Sequence, residues 1–295
     1  WRLFRTFREE RGDSGQSLTD KGIAASPRGD NTHLKRWITG LLALPLVFYM
    51  IGPAPGWLFM FFIFAVAVLA TEECYRILTP DLPPVLRICV HISTAFFFAA
   101  VFLRQLMVLP FFIMLWAALP MTYLMFARPR HDPQQTAMMG RNTLATVYVV
   151  MPLVMIAAIR MMPQGHFWLF FLLAVIVATD TGAFYCGRTF GRHKLYEAVS
   201  PKKTWEGAVG GTILAVFVAA LFYRFFRLAG LWSSLTIALA ISVSGQIGDL
   251  VESIIKRHHG VKDSGSMLPG HGGILDRIDS ILFSAPVLYL FLVFM

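Results

Sequence analysis

Apolar segments long enough to cross a membrane follow one another along most of this 295-residue chain. A transmembrane helix needs about 20 predominantly apolar residues, and only helices and closed barrels satisfy every backbone hydrogen bond in lipid. The sequence therefore predicts an all-α integral membrane protein, a polytopic bundle of about nine transmembrane helices with polar cytoplasmic loops. The candidate spans are residues 37–52, 56–72, 85–103, 106–126, 143–162, 166–186, 208–225, 231–249 and 280–295.

Composition excludes several classes of protein. Hydrophobic residues make up 56% of the chain and charged residues only 15%, which is not typical of a soluble domain. The net charge of +9 would suit a nucleic-acid-binding protein, but no nucleic-acid-binding motif is recognisable, so we expect no nucleic-acid partner. The positive charge fits basic residues that flank membrane spans and meet anionic lipid.

Basic residues are divided unevenly between the two sides of the predicted bundle. If the N-terminus lies inside the cell, 22 of the 26 lysines and arginines fall in the N-terminal tail and the inner loops. Because cytoplasmic loops carry an excess of basic residues, we expect the N-terminus inside and the C-terminus outside. The basic residues on the predicted outer side are Arg104, Arg160, Arg224 and Arg227.

The chain divides into three regions by charge and hydropathy. Residues 1–36 hold eight basic residues and no apolar run, so we expect a disordered basic cytoplasmic tail. Residues 37–162 are predicted to be N-terminal transmembrane helices with short loops, with Glu72 and Glu73 at the membrane interface where the second span ends. Residues 163–295 are predicted to form a C-terminal transmembrane region whose longer polar inserts carry the chemistry.

One polar insert, residues 253–279, lies between two apolar segments. Hydrocarbon does not tolerate such a segment, so it must lie at a water interface or line a cavity. Cations hold phosphate oxygens, carboxylates hold Mg²⁺, and glycines allow close backbone approach, so the composition suits a metal–phosphate site. The insert reads Ser253, Lys256-Arg257, Lys262-Asp263, Pro269-Gly270-His271-Gly272-Gly273 and Asp276-Arg277-Ile278-Asp279.

With two upstream segments, this insert resembles the signature of the phosphatidate cytidylyltransferase (CDP-diacylglycerol synthase) family. The upstream segments are Asp180–Tyr185 and Ser200–Gly207, and the resemblance covers roughly residues 166–295. It implies a nucleotidyltransferase of phospholipid biosynthesis that converts CTP and phosphatidate into CDP-diacylglycerol and pyrophosphate. It also implies Mg²⁺, with a second metal ion left open, a homodimer, and an active site on the cytoplasmic side of a bacterial-type inner membrane.

Four carboxylates are the candidate acidic residues of this site. Asp249 and Asp276 are predicted metal ligands and catalytic residues, and Asp279 is predicted to be a third ligand, with an ion pair to Arg277 as its alternative. Asp180, near the end of the sixth span, is predicted to contact metal or substrate; a structural ion pair remains its alternative. On a continuous helix Asp249, Glu252 and Lys256 share a face, although a Glu252–Lys256 pair on a solvated face would give the same spacing.

The basic and hydroxyl residues are predicted to bind the phosphates of CTP and phosphatidate, although a topological role remains open for each cation. Arg277 is assigned to the reacting phosphates, and His271 is predicted to be a catalytic acid or phosphate donor, unless it only fixes the loop. Ser200 would donate to phosphate or cap a helix that starts at Pro201. The predicted substrate-binding set is Asp180, Ser200, Lys202, Lys203, Thr204, Lys256, Arg257 and Lys262.

Two other functions stay open at this point. A related CTP-dependent enzyme acting on a polyprenyl lipid, either a kinase or a cytidylyltransferase, would need similar phosphate-binding groups. A membrane transporter would use Asp180, Asp249 and Asp276 as a path through the bilayer. Transporters often carry inverted repeats, whereas here no internal repeat is visible and the polar residues lie towards one side of the C-terminal half.

Overall fold

The expected helix bundle is confirmed in the part of the chain that the structure covers. The computed structural model describes residues 30–127, 133–265, 267 and 272–295. The elements within these residues are α1 (Asp30–Ile51), α2 (Gly56–Leu78), α3 (Pro84–Phe102), a short 3₁₀ helix (Leu106–Val108), α4 (Leu109–Ala127), α5 (Pro133–Met161), α6 (Gly165–Phe190), β1 (Lys194–Tyr196), β2 (Ser200–Thr204), α7 (Trp205–Phe226), α8 (Leu231–His258) and α9 (Leu275–Phe294).

Among the described residues, 7 helices are long and apolar enough to cross a membrane: α2, α3 and α5 to α9. The other two contain shorter apolar stretches, Leu41–Ile51 in α1 and Leu109–Tyr123 in α4. Each predicted span therefore has a helix, although in α1 and α4 only these shorter apolar stretches are found among the described residues. The predicted tail lies outside the described residues up to residue 29, and α1 begins at Asp30, before the predicted boundary at residue 36.

Successive helices run in opposite directions, so the ends of the even-numbered helices α2, α6 and α8 lie beside the starts of α7 and α9. The contacts that define this end are Lys203 with Asp249 and Glu73 with Leu275. We call it the motif end, because the polar insert and the segment 200–204 both lie there. At the opposite end Arg160 donates to the carbonyl oxygens of Gly52 and Ala54, both at 3.1 Å.

Glycines bring the C-terminal helices unusually close together. A Cβ atom at Gly211 of α7 would lie 2.5 Å from the Thr179 carbonyl oxygen of α6, and one at Gly207 would lie 2.8 Å from that of Ala183. A Cβ at Gly248 of α8 would lie 2.7 Å from the Asp279 carbonyl oxygen of α9. Small residues at helix interfaces allow such approach in membranes. The Gly248 contact places Asp249 next to the first turns of α9.

Hydroxyl and amide side chains join the same helices inside the bundle. Thr179 of α6 donates to Ser242 Oγ of α8 at 2.9 Å, and Gln246 Nε2 of α8 donates to Thr212 Oγ1 of α7 at 3.1 Å. Such bonds between membrane helices contribute roughly 0.5–2 kcal/mol each. These bonds connect α6, which carries Asp180, α7, which follows the hairpin of residues 194–204, and α8, which carries Asp249.

The segment between α6 and α7 differs from the sequence prediction. Residues 194–204 form an antiparallel hairpin, β1 with β2, whose register shifts between Lys194 and Tyr196. The alternative in which Ser200 caps a helix starting at Pro201 is wrong, because Ser200 begins a strand. Helix α7 starts at Trp205 instead, and Thr204 caps it by accepting a hydrogen bond from the Gly207 amide at 3.1 Å.

Candidate active site

An ion pair joins strand β2 to helix α8, two polar regions that lie far apart in the sequence. Lys203 Nζ on strand β2 lies 2.6 Å from Asp249 Oδ2 on helix α8, with side chains 27% and 34% exposed. The hairpin places Lys203 there because it turns back over the end of α6 before α7 begins. The contact joins residues 200–204 to the part of α8 that leads into the polar insert, and the resulting site is open to water.

Two further carboxylates, Asp180 and Asp279, lie near Asp249. Asp180 of α6, Asp249 of α8 and Asp279 of α9 lie within electrostatic range of one another, and Lys203 lies within range of Asp180 as well. Asp279 Oδ1 accepts from the Ser280 amide at 2.6 Å. No three His, Cys, Asp or Glu side chains in the described ranges already lie close enough to hold a metal ion together. Three repelling carboxylates and one lysine nevertheless form an oxygen-rich group that suits a hard cation.

Lys256 connects two other carboxylates, about two helical turns after Asp249 on the same face of α8. Its Nζ donates to Glu252 Oε2 at 2.6 Å and to Asp276 Oδ1 at 2.7 Å. The Glu252–Lys256 pair therefore forms as its spacing indicates, but the expectation of a solvated face is wrong, since Glu252 is 1% exposed. Removing one partner of a buried pair leaves an uncompensated charge. In this structure Lys256 is a cation already engaged by protein, and its predicted contact with substrate phosphate stays a prediction.

Asp276 closes the polar insert into a loop. Its Oδ2 accepts from the amides of Ser264 and Gly273, both at 2.9 Å, while Oδ1 accepts from Lys256. Both carboxylate oxygens thus have donors from the insert or from α8. Hydrogen bonds to a charged acceptor are among the stronger ones. Asp276 holds the loop ends together at the start of α9, and its role as a metal ligand stays a prediction.

Glu73, from the N-terminal half, is a second anchor of the same loop that the sequence reasoning missed. Its Oε2 accepts from Ser264 Oγ at 3.1 Å and from the Leu275 amide at 2.9 Å. The sequence predicts that the second span ends at Glu72 and Glu73, but α2 continues to Leu78, and Glu73 is buried in the protein with 1% exposure. An ionisable residue inside an apolar segment is the signal that points to such a role.

Glycines of the insert make room for this buried carboxylate. A Cβ atom at Gly265 would lie 2.6 Å from Glu73 Oε1, and one at Gly273 would lie 2.5 Å from Glu73 Oε2. Any larger residue at either position would have to displace the Glu73 carboxylate. The glycines, which the sequence suggested were there for backbone approach to phosphate, serve at least partly to seat Glu73.

Sequence comparison agrees with this arrangement. Residues 34–295 match the profile of the Cytidylyltransferase family. The chain belongs to that family. The match includes all nine helices named above apart from the first residues of α1, so both the scaffold and the polar insert are family features.

Individual relatives match a shorter part of the chain. The phosphatidate cytidylyltransferase of Bacillus subtilis (strain 168) is 46% identical over 155 residues, which cover 52% of this chain and 58% of that protein. The phosphatidate cytidylyltransferases of Staphylococcus saprophyticus and Staphylococcus haemolyticus are 50% and 48% identical over 132 residues, covering 44% of this chain and 50% of theirs. The chain thus spans about half the length of these relatives.

The remaining predicted residues of this cytidylyltransferase-family chain take different positions. Lys202, Arg257 and Lys262 are exposed at the motif end, where Arg257 Nη1 donates to the Val261 carbonyl oxygen at 3.4 Å. Ser200 is half-buried, and the Thr204 hydroxyl is used as the α7 cap. Arg277 is exposed beside Asp276 and has interactions of its own. His271 lies outside the described residues.

A tyrosine from the N-terminal half also approaches the carboxylates. The ring of Tyr148 on α5 packs against Phe283 of α9, with ring centroids 6.1 Å apart. Its hydroxyl is buried, has no hydrogen-bond partner within the described residues, and lies within electrostatic range of Asp249 and Asp279. No pattern in the sequence around Tyr148 indicated this position, because it depends on how α5 packs against α9.

Proposed function

We propose that this protein transfers a cytidylyl group from CTP to phosphatidate, giving CDP-diacylglycerol and pyrophosphate. The observation that carries the proposal is the Lys203–Asp249 contact at 2.6 Å, which makes one cation-and-carboxylate site from two separate polar segments. Membership of the Cytidylyltransferase family and the names of the relatives support the same reaction.

The main requirement of this reaction is to reduce the repulsion between two anionic phosphates; a strong general base is not needed. The phosphate of phosphatidate is already anionic at neutral pH, so it can attack the α-phosphorus of CTP without losing a proton to the protein. The obstacle is repulsion between two anions, and positioned cations lower it in phosphoryl transfer. Lys203 is placed to offset this charge beside Asp249, and Lys202 lies next to it on the exposed strand. Arg277 is assigned to the reacting phosphates, at the start of α9.

The carboxylate group suits Mg²⁺ as the cofactor. Asp180, Asp249 and Asp279 offer hard oxygen ligands within electrostatic range of one another, and Lys203 alone does not balance their charge. Mg²⁺ usually takes one or two carboxylates and completes its coordination with water and substrate phosphate oxygens. When bound there, it would neutralise the pyrophosphate leaving group and the attacking phosphate. Asp276, whose oxygens accept from Ser264 and Gly273, would chiefly keep the loop closed.

The lipid substrate explains why such a site lies at the end of a membrane bundle. The acyl chains of phosphatidate stay in the bilayer while its headgroup reaches the motif end. From the basic-residue asymmetry we infer that this end faces the cytoplasm of a bacterial-type cell, where CTP is available. From the family resemblance we infer a homodimer, and we keep His271 as a proposed catalytic group.

A labelling experiment tests the proposal against its alternatives. Purified protein in detergent receives phosphatidate, Mg²⁺ and CTP labelled on either the α- or the γ-phosphate, and label in the lipid extract is counted. We expect α-label in the lipid and an equal amount of pyrophosphate in solution. In a parallel reaction that contains a polyprenol in place of phosphatidate, transfer of γ-label to the lipid would instead identify a lipid kinase. No transfer from either position, with folded protein, would contradict an enzyme of this class and leave the transporter.

A further inference from the structure

A second polar cleft opens at the motif end, beside the site described above but sharing none of its carboxylates. It has a volume of about 500 Å³ and lies between the end of α2, the first turns of α5 and the residues that follow α8. Ligand-binding clefts typically measure about 300–1,000 Å³. The residues that matter for its chemistry are Arg76, Thr79, Asp81, Arg141 and His259.

The charged lining of the cleft is mainly basic. Arg76 and Arg141 line it from two different helices, and both side chains are exposed to water. Within the described part of the chain, Arg141 Nε donates to the Ala137 carbonyl oxygen of its own helix over a long distance of 3.4 Å. Asp81 contributes one carboxylate to the rim. His259 Nδ1 lies 2.9 Å from the Ile255 carbonyl oxygen, which leaves its other ring nitrogen for a ligand.

A buried hydroxyl without a partner lies in the wall of this cleft. Thr79 is 2% exposed, and its Oγ1 has no hydrogen-bond partner among the described residues. Its backbone is satisfied, because the amide donates to the Tyr75 carbonyl oxygen at 2.9 Å and the carbonyl accepts from Leu82 at 3.1 Å. A buried polar group left unpaired is costly. A ligand acceptor in the cleft would remove that cost.

We propose that this cleft binds a phosphate-bearing anion. A guanidinium offers two parallel donors to a phosphate, and two arginines from separate helices can hold one phosphate or two linked ones. The Thr79 hydroxyl supplies a further donor, and Asp81 can accept from a hydroxyl or amino group of the same ligand. The phosphate can belong to a soluble molecule, such as a nucleotide or pyrophosphate, or to a lipid headgroup at the membrane surface.

The cleft is connected to the loop through its own lining. Val261 lines it, and the Val261 amide donates to the Lys256 carbonyl oxygen at 3.0 Å. Lys256 is the residue that holds Asp276, so an anion in the cleft would sit against the segment that leads into the loop. The binding step itself does not depend on cytidylyl transfer and can be measured without turnover.

Calorimetric titration tests the proposal with pyrophosphate as the probe. The protein carries Lys203→Gln, so that the active site contributes little, and is held in nanodiscs of phosphatidylcholine. We expect Arg76→Gln with Arg141→Gln to weaken pyrophosphate binding by about tenfold or more, and Thr79→Val to weaken it by about threefold to tenfold. Arg224→Gln, at the opposite end of the bundle, is the matched control and should leave the dissociation constant unchanged.

The lipid arm uses the same variants in nanodiscs that contain phosphatidate, with retention of the lipid measured by native mass spectrometry. Loss of pyrophosphate binding in the arginine variant identifies a soluble ligand, and loss of phosphatidate retention alone identifies a headgroup. Unchanged binding of both probes in the double variant, with an unchanged melting temperature, would overturn the proposal. Failure of the labelling experiment for cytidylyl transfer would leave this result standing, because no turnover is required.

Discussion

Close glycine contacts distinguish the C-terminal helices α6 to α9 from the described N-terminal helices α2 to α5, although aromatic rings pack between helices in both halves. In the C-terminal half, a Cβ atom at Gly211 or Gly248 would lie within 2.7 Å of a neighbouring backbone oxygen. In the N-terminal half, aromatic rings separate the helices, as in Phe97 with Trp116 at 5.3 Å between centroids and Phe96 with Phe112 at 5.4 Å. Close backbones fix the positions of short side chains such as aspartate, and large rings provide bulk and rigidity.

We expect the two halves to have different roles, with chemical groups in the C-terminal half and supporting groups in the N-terminal half. The C-terminal half provides Lys203, Asp249 and Asp279, which would contact substrate or metal. The N-terminal half reaches the site through Glu73, which accepts hydrogen bonds from the loop, and through Tyr148, which lies near the carboxylates. Groups that do chemistry need positions fixed to within a fraction of an ångström, and groups around them supply that order. Substitutions in the two halves should therefore fail in different ways.

The largest effect is expected in the C-terminal half, from Asp249→Asn. Removing the charge that Lys203 pairs with, and that would hold Mg²⁺, should lower kcat by about three orders of magnitude or more. The protein should still insert and keep its melting temperature within a few degrees. Steady-state kinetics measures the effect, and Glu197→Gln on the exposed hairpin turn is the matched control. Near-normal turnover by Asp249→Asn would remove Asp249 from the chemistry.

The next largest effect is expected on stability, from a substitution that disrupts the close glycine packing of α6 and α7. Gly211→Ala would place a methyl group against the Thr179 carbonyl oxygen and force α6 and α7 apart, at a cost of roughly 1–3 kcal/mol. Gly140→Ala on α5 is the control, since a Cβ there meets nothing within 4 Å, and it should be neutral or slightly stabilising. Thermal unfolding in detergent compares them. Equal melting temperatures for both variants would show that the close contact carries no stability.

Glu73→Gln should separate loop positioning from folding. The amide keeps the size of the side chain but loses the charge that accepts from Ser264 and Leu275, so we expect kcat to fall about tenfold with little change in the KM for CTP. Glu72→Gln is the neighbouring control, because Glu72 pairs with Arg87 and His91 on α3 instead. Equal kinetic losses in the two variants would mean that Glu73 acts only through stability.

The smallest effect is expected from Lys203→Ala, measured as a change in substrate affinity. If Lys203 binds the phosphates of CTP, the KM for CTP should rise severalfold and more than the KM for phosphatidate. Arg277→Ala should instead lower kcat, because its charge would act in the transition state. Normal expression with both KM values unchanged would make Lys203 a residue of membrane topology alone.

Sequence reasoning succeeded where the cause is local. Hydropathy and length predict a helix for every span, because each span satisfies its own backbone in lipid, although α1, α5 and α8 extend seven to ten residues beyond a predicted end. Gly207 and Gly211 have a four-residue spacing that is typical of close helix packing in membranes, and both lie against α6 in the structure. The insert was assigned to a phosphate site on its residue types and on a family resemblance, and the family is confirmed.

It failed where partners are distant in the chain. Glu73 and Ser264 are 191 positions apart, so no periodicity relates them. The hairpin was missed because Ser200 and Pro201 also fit the start of a helix, and only pairing with β1 makes the segment a strand. The amides that donate to Asp276 belong to a loop that is held by Glu73. The sequence alone does not show this contact between Glu73 and the loop.

The most direct test of this account follows α-labelled CTP into lipid while Mg²⁺ is removed and restored. The wild-type protein should stop incorporating label on addition of EDTA and resume with excess Mg²⁺, whereas Asp249→Asn should stay inactive at every Mg²⁺ concentration. Incorporation that continues in EDTA would contradict a carboxylate-held metal in the C-terminal half, and with it the division between the two halves.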